Sequence, residues 1–115
     1  MAPSTDLSDV AVVDNHCHAV LRAQDQRDVA GWRALFTESP DPATRAVDVA
    51  STAFYQRLVT DTAAFHGVAP DEDAVLAARA DRGAERLTAD LLQDARLGGL
   101  VVDTGFPDPA TAFDV

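Results

Sequence analysis

Apolar and polar positions in this chain follow two periods, one suited to strands and one to helices. Met1 to Asp9 is polar and reads as a mobile leader. Val10-Ala-Val-Val13 is short and β-branched, which predicts a buried strand over Val10–Asp14. Ala19 to Arg22, just after it, reads as loop or a single helical turn. The spacing then becomes helical. Asp28 is positioned to cap a first helix whose apolar residues Val29, Trp32, Leu35 and Phe36 share one face, with Trp32 as core anchor. Ser39-Pro40-Asp41-Pro42 ends that helix and starts the next, with Asp41 as N-cap and Pro42 as first helical residue. The longest helix is predicted over Pro42–Phe65. Its stripe is Val47, Ala50, Phe54, Leu58, Thr62 and Phe65, widened by Tyr55 and Val59. Gly67 closes it. His66 falls in the last turn, where a positive imidazole suits the helix dipole; a metal ligand is the other reading.

Asp71, Glu72 and Asp73 open a further helix with acids in its first turn. Their spacing is not that of a calcium loop, and the loop glycine is missing. Gly83 ends that helix. A last one, over Ala84–Leu97, carries Leu87, Leu91 and Ala95 on one stripe and is broken by Gly98-Gly99. Leu100-Val-Val-Asp103 then predicts a second strand. A strand, a helical crossover and a strand imply a parallel pair.

Composition then changes the picture. With 47% hydrophobic and 24% charged residues, the chain is expected to build a core. A net charge of −10 and a pI near 4.4 speak against nucleic acid and anionic membranes, which both select clustered cations. Every basic residue is arginine, a trace of coding bias rather than of function. The single cysteine, Cys17, excludes an internal disulfide and fits a reducing, cytoplasmic setting. Neither a secretory leader nor a membrane-spanning run is legible.

The candidate chemistry is concentrated in Asp14-Asn15-His16-Cys17-His18. Alternation along a strand puts Asp14, His16 and His18 on one face and Asn15 and Cys17 on the other. Two imidazoles at i and i+2 can share one metal ion; the plainer reading is two histidines capping a strand end. Polar clusters at the carboxyl ends of buried parallel strands are where α/β folds build sites. Asp103, at the end of the second strand, either lines such a site or bonds local backbone amides. Cys17 has no partner cysteine, so a thiol enzyme is the weakest reading.

The stretch Asp14-Asn15-His16-Cys17-His18 after Val10-Ala-Val-Val resembles the Asp-x-His-x-His motif that ends the first strand of the amidohydrolase superfamily. Leu100-Val-Val-Asp103-Thr104-Gly105-Phe106 is similar to the second strand of its amidohydrolase-related, FluG/nodulin-like subgroup, members of which carry helices between strands one and two. Some are fused to a glutamine-synthetase-like domain. The resemblance implies an α/β fold, the N-terminal part of a (β/α)8 TIM-type barrel spanning residues 10–115. It implies His16 and His18 as metal ligands, with Asp14 and Asp103 as supporting or site-lining groups. The cofactor would be a divalent metal, zinc foremost, with manganese or iron open. In the family, water activated by the metal attacks a carbonyl or related carbon of a small-molecule substrate.

A barrel takes roughly 250 residues, and this chain has 115. The expectation is therefore an incomplete barrel whose acid–base residues and remaining ligands lie on strands not present, inactive as a 115-residue monomer. The alternative class is a non-catalytic helical interaction protein or split-barrel partner, pairing through exposed strand edges.

Overall fold

The computed structural model describes residues 4–18, 20, 27–103 and 105. The expected turn after the histidines, the segment around Phe106 and the first three residues of the leader lie outside that set. Among the described residues the fold is mixed α/β, with five α-helices and a two-stranded parallel sheet. It divides into two compact units: residues 24–83, and residues 1–23 together with 84–115. None of the helices among the described residues is long and apolar enough to cross a membrane.

The unit of residues 24–83 is helical. Asp28 caps α1 (Val29–Arg33) by accepting a 2.8 Å hydrogen bond from the Gly31 amide. A 3-10 turn, Ala34–Phe36, continues it before Thr37 becomes extended. The Asp41 carboxylate accepts from the Thr44 amide at 2.7 Å, as the sequence leads one to expect of a cap before Pro42. The long helix predicted from there is interrupted. A π-helical turn (Thr44–Asp48) runs into the short α2 (Val49–Ser51), and Thr52 is extended, with ψ 141°. The Thr52 hydroxyl donates to the Val49 carbonyl and accepts from the Tyr55 amide, so one side chain stops α2 and caps α3 (Ala53–His66).

This break rephases the apolar stripe. Tyr55, Val59 and Ala63, spaced by four, are buried, whereas Val47 and Phe54 are about two-thirds exposed. A stripe read through Thr52 as one continuous helix chooses the wrong face for those two residues. Gly67 ends α3 at φ 70°, a left-handed conformation that glycine adopts without a Cβ clash, and the Val68 amide donates back to the Ala63 carbonyl. Asp71 caps α4 (Glu72–Arg82) through the Ala74 amide.

Trp32, Val49, Tyr55 and Val59 form the core cluster, with Phe36, Ala50, Leu58 and Leu76 packed against it. Phe36 meets Trp32 edge-on at 5.1 Å and Tyr55 at 5.6 Å. Each such buried side chain contributes about 1.5–3 kcal/mol. Trp32 is thus the anchor its spacing implies. The Arg79 guanidinium lies over its ring at 5.3 Å.

The other unit holds β1 (Val12–His18), α5 (Ala84–Asp94) and β2 (Leu97–Asp103). The strands pair in parallel, as the crossover argument expects. Residues Ser4 to Asp9 are exposed, with the Ser8 amide bonded to the Asp6 carboxylate. The sequence predicts β1 over Val10–Asp14. It begins two residues later and runs on through both histidines.

It is also not buried: Val12 and Val13 are 41% and 59% exposed. Among the described residues each strand has a single neighbour, too little sheet to enclose a valine run. α5 ends at Asp94, short of the predicted Leu97, because Arg96 turns the chain at φ 52°. β2 then passes straight through Gly98-Gly99, the pair expected to end the helix, and so begins at Leu97, ahead of the predicted Leu100. A Cβ on Gly99 would meet only Val13 methyls at 3.8 Å, so the glycines are compatible with pairing.

Two irregularities mark the ladder. Val12 pairs with Leu97 and Val13 with Gly99, so β2 carries one extra residue there; Asp14 pairs with Leu100 and Cys17 with Val102, so β1 carries one extra later. The two cancel, and His18 stands opposite Asp103.

Candidate metal-binding strand end

Both histidines lie on β1 itself, near its carboxyl end, with exposed side chains. Their rings meet edge-on, centroids 5.7 Å apart. That spacing suits two imidazoles reaching one ion through Zn–N bonds of about 2.0–2.1 Å. Asp14 is half-buried, and its carboxylate accepts from the His16 amide at 3.1 Å, pinning the backbone between the two residues. Asp103 repeats the device on β2, accepting from the Gly105 amide at 2.8 Å. A carboxylate offers about four lone-pair positions, so one local bond does not exhaust either acid.

The bulge between Asp14 and Cys17 interrupts the simple alternation from which sequence reasoning placed Asp14, His16 and His18 on one face. The two histidines are neighbours nonetheless. Cys17 is half-buried, and its thiol is directed at the Val101 carbonyl, 3.8 Å away on β2, a weak contact.

Among the described residues, no group of three or more His, Cys, Asp or Glu is assembled for a metal ion. The donor set therefore suits a divalent ion chemically and fills half of a four-coordinate zinc shell. His66 lies at the end of α3, in the unit of residues 24–83. It is not held as a cation. Burial, and then the nearby positive charges of Arg82 and Arg79, push its pKa below the ordinary 6.5. Its Nδ1 is buried without a hydrogen-bond partner, and its ring packs edge-on against Phe65 at 5.0 Å. The helix-dipole argument for an imidazolium is overruled by burial first and by these arginines of α4 second.

Sequence reasoning missed one polar cluster, in the helical unit. Glu72 accepts from Arg33 Nε at 2.7 Å, Arg33 Nη2 at 2.6 Å and the Tyr55 hydroxyl at 2.7 Å. Arg33 Nη1 also donates to the Ala46 carbonyl, inside the π-helical turn. The guanidinium holds the Glu72 carboxyl below its usual range, with the phenol assisting. Burial, and then the same carboxylate, drive the Tyr55 phenol well above its ordinary value. A cavity of about 420 Å³ opens beside this triad, lined also by Gln56, Thr60 and Asp71. The triad's groups bond one another, so it reads as a fastening of α1, α3 and α4. Glu72 looked from sequence like an ordinary first-turn acid, and no local pattern points from it to Arg33.

Comparison of the chain with protein-family models, curated proteins and solved structures finds no match in any of the three.

Proposed function

We propose that this chain is the N-terminal portion of a metal-dependent hydrolase of the amidohydrolase type, with β1 and β2 as the first two strands of a (β/α)8 barrel. The observation that carries the reading is the pair His16 and His18, 5.7 Å apart, at the carboxyl end of a parallel strand. In such folds that end of the strands carries the chemistry. His16 and His18 would hold the ion. Asp14 orients the backbone between them through the His16 amide, and Asp103 shapes the turn after β2 at a position opposite His18. Bound there, a divalent ion would supply Lewis acidity toward water and toward a carbonyl oxygen of a small-molecule substrate. Further ligands and the acid–base group would come from other strands, so this 115-residue chain is expected to show no turnover by itself.

A zinc titration followed by NMR of the histidine ring protons tests the ligand assignment. Signals of His16 and His18 should move together while those of His66 stay. Robust metal-dependent hydrolysis by the purified chain would contradict the incomplete site; an unresponsive His16 and His18 would remove the metal altogether.

A second reading, a non-catalytic partner that pairs through its strands, is favoured by one observation. Val10, Val13 and Val101 are all more than half exposed on or beside the sheet, where an extended segment of another chain would cover them. Cooperative melting and a single species in solution would favour this reading over a barrel fragment.

A further inference from the structure

The fastening of Arg33, Tyr55 and Glu72 does not fill the cavity of about 420 Å³ beside it. We infer that this cavity binds a small organic cation, a primary ammonium carried on a short aliphatic chain. The inference goes beyond the metal reading of His16 and His18 and uses neither histidine.

Size and shape come first. Small-molecule sites have volumes of about 300–1,000 Å³. This cavity lies within the unit of residues 24–83, with walls from α1, α2, α3 and the start of α4. Ala50, Val59 and Pro70 give it an apolar side suited to a few methylene groups.

Charge selects the sign of the ligand. Two carboxylates, Asp71 and Glu72, line the cavity against one guanidinium, Arg33. Glu72 is paired with Arg33, which leaves the charge of Asp71 uncompensated in the lining. The start of α4 favours an anion through its dipole, but Asp71 and the first-turn acids Glu72 and Asp73 already supply that negative charge. The net charge of −10 attracts cations further.

Hydrogen-bonding capacity agrees. Arg33 already donates from Nε, Nη1 and Nη2, and the Tyr55 hydroxyl donates to Glu72. Acceptors are left over. Asp71 accepts from the Ala74 amide through Oδ1, and among the described residues its Oδ2 accepts from none. The Thr60 hydroxyl donates to the Gln56 carbonyl and keeps its lone pairs. One turn away on α3, the Gln56 side-chain amide makes no hydrogen bond among the described residues. An ammonium brings three donors and no acceptor, which is what such a lining lacks.

The test titrates n-butylammonium chloride into the chelator-treated chain at constant ionic strength and follows the backbone amide signals by NMR. Saturable shifts concentrated at Gln56, Thr60 and Asp71 are expected, with butan-1-ol and butyrate leaving those signals in place. Asp71→Asn keeps a residue that caps helices well and removes the charge, so it should weaken binding about tenfold with the helical circular dichroism signal retained. Gln56→Ala, which breaks no hydrogen bond of the fold among the described residues, should weaken it as well. An equal response to butan-1-ol would overturn the inference in favour of a merely apolar hollow. Preferential seating of butyrate or inorganic phosphate would overturn it in favour of an anion site. Shifts that never saturate and spread over the acidic side chains, undiminished binding by Asp71→Asn, or no response at all would also overturn it. Each of these outcomes leaves the histidine assignment standing, because that is read with zinc and in other signals.

Discussion

At Glu72 one carboxylate accepts from an arginine fork and a phenol, and its two partners belong to two other helices. Glu72→Gln removes the charge and leaves Arg33 facing a neutral amide. Both side chains are about one-fifth to one-quarter exposed, so solvent screens part of the loss, and about 1–2 kcal/mol of stability is expected to go, read as a lower denaturation midpoint. The pH dependence has a definite sign. Because the folded pKa of Glu72 lies below its ordinary 4.5, its contribution is whole above that value and fades as pH falls through the folded pKa. Glu72→Gln should therefore flatten the acid limb of a stability–pH curve below about pH 4.5. His66 acts in a higher window. Its folded pKa lies below 6.5, so stability declines as pH drops through 6.5, where the unfolded chain takes up the proton first. His66→Gln should remove that decline; a wild-type curve flat between pH 7 and pH 5 would contradict the burial argument. The two residues were unequally legible. Trp32, Gly67 and Asp28 declare their roles through local spacing, whereas Glu72 depends on an arginine, and His66 on burial and then on two arginines, that only tertiary structure brings to them.

Helix boundaries follow the caps. Thr52 divides what hydrophobic periodicity presents as one helix, because its hydroxyl serves the end of α2 and the start of α3 at once. Thr52→Ala is expected to cost about 1 kcal/mol, measurable by urea denaturation. Threonine is common inside helices, and nothing local marks this one as a cap, so the buried face of α3 was misjudged at Phe54 while Tyr55 and Val59 were correctly grouped among the apolar positions. At the end of α5, Arg96 holds a left-handed conformation that costs a residue bearing a Cβ about 1 kcal/mol. Arg96→Gly should thus raise stability by roughly 0.5–1 kcal/mol, the weak 3.4 Å contact to the Ser8 carbonyl being a minor loss. The strands teach a related lesson. Their existence and parallel pairing were legible, but the compensating bulges were not, since they depend on how one strand is laid against the other. Deleting Gly98 alone should shift β2 against β1 and move Asp103 away from His18, destabilising the sheet more than a substitution there would.

Over the whole molecule, burial is distributed unevenly. Trp32, Val49, Tyr55, Val59, Ala63 and Val75 all belong to the unit of residues 24–83, and of the buried apolar residues described only Leu87 belongs to the other. The helical unit is also continuous in sequence. A chain of residues 24–83 alone is accordingly expected to fold and melt cooperatively; a non-cooperative melt would show that its core is insufficient. In the intact protein, amide hydrogen exchange should be slowest in α3 and much faster in β1 and β2, which expose their valines. The same layout sets a schedule during synthesis. Cys17 reaches its partner carbonyl at Val101 across 84 residues. At 5–20 residues per second, a ribosome needs about 4–17 s to make that interval. For that time β1 waits with its valines unmatched while the intervening helices have all they need to fold. A nascent chain halted before β2 would present a finished helical unit and, ahead of it, a bare apolar strand for chaperones or like strands to seize.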